Sequence, residues 1–234
     1  MFLIQISTFL FIMMMVITAG LITTIIILVI YILKFIKKAG EDKRAIFREL
    51  NEQAHPDGIV FLGDSLTDFY HTDEFFYGAD IYNRGIAGDT TDGVLDRLED
   101  NVFKIKPRKI FLQIGTNDFL LKRTPQEIAG NIIKIIKEIT DRKIMLYVLS
   151  LYPVHPRATV YSKVLVRPRT NPAIEEINAV IKAYCESHDI VYIDIYPHLL
   201  GEDGFLKKEY TVEGLHISLP GYMVITNLLT PFIP

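Results

Sequence analysis

Gly58-Ile59-Val60-Phe61-Leu62-Gly63-Asp64-Ser65-Leu66-Thr67 carries an unbroken apolar run, Ile59 to Leu62, straight into a turn of small and polar residues. So short a run with no polar alternation reads as a strand buried on both faces, the pattern of a parallel sheet. Asp64 or Ser65 then suits the head of a helix. A strand handing over to a helix is the repeating unit of an open α/β sheet, and it puts Ser65 at the carboxyl edge, where such sheets bind ligands.

Further runs of strand length follow at Ala79 to Tyr82, Lys109 to Ile114, Lys143 to Leu149 and Asp189 to Ile195. Helical patterns lie between them. In Thr124 to Arg142, the residues Ile128, Ile132, Ile135, Ile136 and Ile139 fall on one face, and Thr124 with Glu127 spells a capping box with Pro125 at the first helical position. Val94, Leu95, Leu98 and Val102 predict a second amphipathic helix, and Ile174, Ile177, Val180, Ile181 and Tyr184 a third. The alternation predicts a five-stranded parallel sheet covered by helices on both faces, in a flavodoxin-like, doubly wound order.

The amino-terminal stretch has a different character. From Phe2 to Leu33 there is no charged residue, and a bilayer core needs about 20 apolar helical residues to cross. The stretch is too short for two spans, and its start lacks the basic residues of a cleaved signal peptide. The expected organisation is a transmembrane anchor at 1–33, a linker helix at 34–57 and the α/β domain at 58–234. Lys34, Lys37 and Lys38 follow the span with nothing basic before it. The positive-inside rule therefore puts the domain in the cytoplasm, with the outer face as the alternative. The single cysteine, Cys185, permits no internal disulfide and fits either side.

Charge argues against nucleic acid. Without residues 1–40, which hold three lysines and no acid, 22 basic residues stand against 28 acidic ones, whereas a polyanion binder presents a basic domain or stripe. The six histidines are scattered with no metal-ligand spacing. Oligomeric state leaves no mark on the sequence.

The informative residues gather at the predicted strand ends. Ser65 follows the first strand, Asn83-Arg84-Gly85-Ile86-Ala87-Gly88-Asp89-Thr90 the second, and Gly115-Thr116-Asn117-Asp118 the third. Glu213-Gly214-Leu215-His216 lies near the far end of the chain. A serine nucleophile needs a base to take its proton and donors aimed at the developing oxyanion. His216 supplies the base, while Gly88 offers an unobstructed N–H, Asn117 a side-chain amide and Ser65 its own N–H. By itself Gly-Asp-Ser-Leu is an ordinary strand-to-helix turn. Thr67 also stands where the nucleophile elbow Gly-x-Ser-x-Gly requires its last glycine. Asp64, Asp89, Asp118 and Asn83 read as loop-bracing groups.

These four blocks, in order over roughly residues 58–228, resemble the GDSL family, more specifically the SGNH hydrolases. The resemblance implies a three-layer α/β/α sandwich and a serine esterase that needs no metal or cofactor. Ser65 would be the nucleophile, Gly88 and Asn117 would complete the oxyanion hole, and His216 would be the base. One departure is Glu213, where the family has Asp. Either carboxylate suits a third triad member, but Glu is one methylene longer and must fold back. Asp194 is a substitute candidate, and a Ser-His dyad held by a backbone carbonyl is another arrangement.

The long segment Ser150 to Asn171, with Tyr152, His155, Arg157, Tyr161, Lys163, Arg167 and Arg169, is a candidate lid or a solvated basic loop. Arg84, Tyr152 and His155 are the candidate substrate-binding residues, although His155 and His198, each beside a proline, also read as loop or surface histidines. Arginines of the segment suit a lipid phosphate or an acidic sugar. The resemblance leans towards lysophospholipid, acylated or acetylated esters as substrates. A glycan O-acetylesterase or acyltransferase, and an inactive membrane-tethered binding protein, are the competing readings.

Overall fold

The computed structural model describes residues 2–234; Met1, where the expected anchor begins, lies outside the described residues. The chain divides into one compact unit up to Asp42 and a second from Lys43 to Pro234.

A single helix runs unbroken from Phe2 to Asn51. Its stretch from Thr8 is apolar and long enough to cross a membrane by length and composition. The hydroxyls of Thr18, Thr23 and Thr24 donate to the carbonyls of Met14, Ala19 and Gly20 at 2.8–2.9 Å, so these polar groups are satisfied inside the helix. The helix carries on past 33, where the anchor is expected to end, and stops at Asn51, short of the expected linker end at 57. From Lys43 onward it belongs to the second unit: Phe47 is buried, Arg44 donates to Asp89 at 3.2 Å, and the Asn51 amide donates to the Asp100 carbonyl at 2.8 Å.

The second unit is built on five parallel strands, β1 (Ile59–Gly63), β2 (Ile81–Gly85), β3 (Lys109–Gln113), β4 (Met145–Leu149) and β5 (Val191–Ile193). Their order is β2-β1-β3-β4-β5, as a doubly wound domain requires. Val60, Leu62, Ile110, Leu112, Leu146 and Val148 bury one face, packed in one core with helices Pro125–Thr140 and Asn171–Ser187. Ile59, Phe61, Phe111, Tyr147 and Leu149 bury the other, in a core shared with helix Leu219–Leu229. Successive strand residues thus enter opposite cores, which explains why the strands show no polar alternation. Phe61, Phe111 and Tyr147 stack across three strands at centroid distances of 4.8 and 4.7 Å.

Local signals match the helices closely. The Thr124 and Glu127 capping box forms in both directions. The helix predicted over Val94 to Val102 instead ends at Arg97 and continues as one wider π turn, Leu98–Val102. β2 also runs three residues further than expected, so Asn83, Arg84 and Gly85 are strand rather than loop. β2 is an edge strand, and half-buried polar side chains are tolerated there.

Candidate active site

In register, Gly63 of β1 lies level with Gly85 of β2 and Gln113 of β3. The segments that leave these strands therefore emerge together. Directly after β1, Asp64 caps the short helix Ser65–Asp68, its Oδ1 accepting the Leu66 N–H at 2.9 Å. Ser65 is the first residue of that helix, so its N–H has no helical carbonyl before it. The Asn83 amide of β2 donates to the carbonyls of Thr67 and Tyr70 at 2.8 and 3.0 Å, and its oxygen accepts the Gly85 N–H at 2.9 Å. The turn that carries the serine is tied to its neighbour strand.

Beyond β2, Asp68 accepts the Ala87 N–H at 3.0 Å and Asp89 accepts Arg97 Nε at 2.7 Å. Between these pinned residues sits Gly88 with φ +81°, a left-handed conformation that costs glycine nothing. From the end of β3, Asn117 Nδ2 donates to the Asp89 carbonyl at 2.9 Å. Asp118 accepts the Thr91 N–H at 3.0 Å. Asp64, Asp89, Asp118 and Asn83 thus brace backbone and neighbouring side chains, as expected from the sequence.

The far segment closes on this edge. His216 Nε2 stands 3.1 Å from Ser65 Oγ across 151 residues of chain. Its Nδ1 stands 2.6 Å from Glu213 Oε1, which also accepts the His216 N–H at 3.1 Å. The longer carboxylate does fold back, and the backbone bond holds it there. Asp194 lies elsewhere, paired with Lys182 at 3.7 Å. The imidazole meets the Phe69 ring at 5.3 Å. Beside it opens an apolar groove of about 680 Å³ whose lining includes Phe69, Phe75, Val212, Ile217, Leu219 and Tyr222.

Asp64 is fully buried one residue before the serine. Burial, helped by the negative charges of Asp89 and Asp118, pushes its carboxyl up to about 7 against the pull of the Leu66 N–H and Arg169. Its Oδ2 has no hydrogen-bond partner among the described residues, which suits the neutral acid at mildly acidic pH.

Three candidate substrate-binding residues need correction. Arg84 is buried between the rings of Phe47 and Tyr82, at 4.7 and 5.3 Å, and donates to Asn51 Oδ1 at 2.8 Å. It closes the seam with the helix end instead of facing a ligand. Tyr152 lies in the core layer of Tyr70 and Tyr222. His155 is neither a surface histidine nor open to substrate: its side chain is 2% exposed, stacked on Phe205 at 5.2 Å, with Nδ1 accepting the Arg157 N–H at 3.1 Å. His198 is exposed, as expected.

The segment from Ser150 to Asn171 is a brace more than a flap. The His155 N–H donates to the Gly214 carbonyl at 2.8 Å. Gly214 has φ +101°, and a Cβ there would run into the His155 carbonyl and press on Ser162. Arg169 is buried and directed inward, its Nη2 donating to Asn117 Oδ1 at 2.9 Å. The sequence reads it as part of a lid or a solvated basic loop, and its burial fits neither. Among the described residues no group of three or more His, Cys, Asp and Glu is arranged to hold a metal ion.

Comparison with known proteins agrees with this architecture. Residues 61–224 match the model of the GDSL-like Lipase/Acylhydrolase family, and the chain belongs to that family. It is a hydrolase acting on esters. Among curated proteins it is similar to platelet-activating factor acetylhydrolase IB subunit alpha1 of Bos taurus, 28% identical over 180 residues, covering 73% of this chain and 72% of that protein. A structure from Streptococcus pneumonia, named for platelet activating factor, is 31% identical with a TM-score of 0.78, covering 88% of this chain and 98% of that one. A GDSL-like lipase from Bacteroides thetaiotaomicron has the same fold, with a TM-score of 0.72 at 24% identity over 81% of this chain and 96% of that one.

Proposed function

We propose that the protein is a membrane-anchored serine esterase that cleaves lipid-type carboxylic esters through an acyl-enzyme, with Ser65, His216 and Glu213 as its triad. One observation carries the reading: Ser65 Oγ, His216 and Glu213 form a continuous hydrogen-bonded relay, with contacts of 3.1 and 2.6 Å. His216 Nε2 takes the Ser65 proton as Oγ attacks the ester carbonyl. Glu213 holds the ring with Nδ1–H toward itself and stabilises the imidazolium. The oxyanion is received by the N–H groups of Ser65 and Gly88 and by the Asn117 amide. Collapse expels the alcohol, which takes its proton from His216. Water, deprotonated by His216, then attacks the acyl-serine and frees the acid.

The direction of proton delivery bears on the substrate. A leaving oxygen protonated by Nε2 must lie on the histidine side of the serine, while the carbonyl oxygen faces Gly88 and Asn117. The apolar groove lies on that histidine side. An alcohol with a hydrophobic body, such as a lysophospholipid or related glycerolipid, buries it there at roughly 25 cal/mol per Å², whereas a sugar hydroxyl brings polar neighbours for which the groove offers few partners, His71 and Ser218 beside the triad. The acyl part in the bovine relative's name is acetyl, and a short acyl group is our expectation here. The apolar segment up to residue 33 serves as the anchor, with the catalytic unit on the cytoplasmic side.

The test follows hydrolysis of p-nitrophenyl acetate, butyrate and longer esters and of acetylated lipid alcohols by the full chain, beside Ser65→Ala. Turnover that Ser65→Ala abolishes, with Ser65 labelled by an organophosphonate, is the expected result. No turnover and no labelling would leave a binding protein. Acyl transfer to an added sugar in preference to water would make it a transferase. Protease accessibility of the catalytic unit in intact cells reads its side of the membrane.

A further inference from the structure

Asn117 is held by two partners of opposite polarity. Its Nδ2 donates to the Asp89 carbonyl at 2.9 Å, and its Oδ1 accepts from Arg169 Nη2, also at 2.9 Å. A guanidinium only donates and a carbonyl only accepts, so this pair of contacts permits one orientation of the amide and forbids its flip. One Nδ2 hydrogen is used on Asp89, and the second is left for another acceptor. Arg169 is itself immobilised. Its Nε donates to the carbonyl and hydroxyl of Thr116 at 2.8 and 3.0 Å, and Nη1 donates to the Leu165 carbonyl at 3.1 Å. The residue is 5% exposed, and the next residue, Thr170, caps helix Asn171–Ser187. A buried guanidinium must have its donors satisfied, and here the partners are Thr116, next to Asn117, and Asn117 itself.

We infer that Arg169 is a positioning residue for the reaction: it locks the Asn117 amide with its free N–H toward the oxyanion and, through a charge-assisted bond to Oδ1, strengthens that N–H as a donor. The inference rests on the proposed role of Asn117 in the oxyanion hole. The gain appears where negative charge develops on the substrate oxygen, so it belongs to the transition state more than to the bound ester. A lysine in this place keeps the charge but cannot span Thr116 and Asn117 with a rigid fork. Because Arg169 ends the segment that also holds Gly214 through His155, one stretch of chain steadies both the oxyanion side and the base side.

The test is a double-mutant cycle in the full-length protein, using Arg169→Met, Arg169→Lys and Asn117→Ala with a short p-nitrophenyl ester. Removing one oxyanion donor costs about 10²–10³ in kcat, so Arg169→Met is expected to lower kcat by about 10–100-fold while KM moves less than about twofold. Arg169→Lys should recover part of the loss. In the Asn117→Ala background the same substitutions should change kcat by less than about twofold, because the group they act through is gone. The rate of Ser65 phosphonylation should follow kcat. Equal losses in both backgrounds, or no loss in wild type, overturn the inference while leaving the site reading intact. If Asn117→Ala keeps wild-type kcat, the oxyanion role of Asn117 falls and the inference with it. Thermal midpoints are measured for each variant, and if Arg169→Met does not fold, the cycle is read from Arg169→Lys.

Discussion

The two halves of the site are held by different means. The serine half sits on the ends of β1, β2 and β3, level in register, with β1 and β3 buried throughout. The histidine half has no strand of its own. Glu213 to His216 is a loop pinched by one isolated bridge, Thr211 with Ile217, by the His155 contact to Gly214 and by the Glu213 carboxylate folding back on the His216 N–H. A nucleophile placed by a sheet inherits the rigidity of the whole core. A base placed by a loop depends on a few identifiable contacts, each removable by one substitution.

The largest effects should fall where both halves meet. Ser65→Ala and His216→Ala are each expected to lower kcat by about a thousandfold or more, with the double variant no worse than either alone, since the relay acts as a unit. Additive losses would mean that the two side chains work separately. Glu213→Gln should lower kcat by less than Ser65→Ala or His216→Ala does, because the amide still accepts from the backbone while losing the charge that supports the imidazolium. An unchanged kcat would show a Ser-His dyad. Gly214→Ala breaks the loop half without touching a reacting group. It forces a side chain into a left-handed conformation against the His155 carbonyl, a strain of about 1–3 kcal/mol, and should lower both the thermal midpoint and kcat, the latter by about tenfold.

The smallest effect belongs to the serine half. Asp64 holds its proton up to about pH 7 in the folded chain, whereas an unfolded aspartate releases it near pH 4. Between those values the native state binds more protons than the unfolded one, so this group's contribution to stability is greatest below about pH 4, declines as pH rises and levels off above about 7. Asp64→Asn removes that slope. Its thermal midpoint relative to wild type should therefore rise from pH 5 to pH 8, and a constant offset across that range would overturn the assignment.

The same contrast governs how much the sequence discloses. Strands and nucleophile turn are legible because buried parallel strands are written as plain apolar runs with their turn residues adjacent, as in Ile59 to Ser65. The capping box at Thr124 and Glu127 is equally local. The arginines are not. Arg84 and Arg169 read as ligand grips because their partners, Asn51 and Asn117, lie 33 and 52 residues away, and no local pattern marks a cation as turned inward. The one available hint is that Arg169 directly precedes the helix signal Thr170-Asn171-Pro172, which fixes its backbone. The reach of Glu213 is partly legible: three residues before His216 it can only meet the ring by folding back, and the two hydrogen bonds on one oxygen are the form this takes.

The chain contains no tryptophan, and Phe69 lines the groove, half exposed, with its ring beside His216. Phe69→Trp would consequently install a lone indole fluorophore at the mouth of the reaction centre, against a background of tyrosine emission only. Entry of an aliphatic tail should shift its emission to the blue, so that occupancy of the groove could be followed optically without any chromogenic ester.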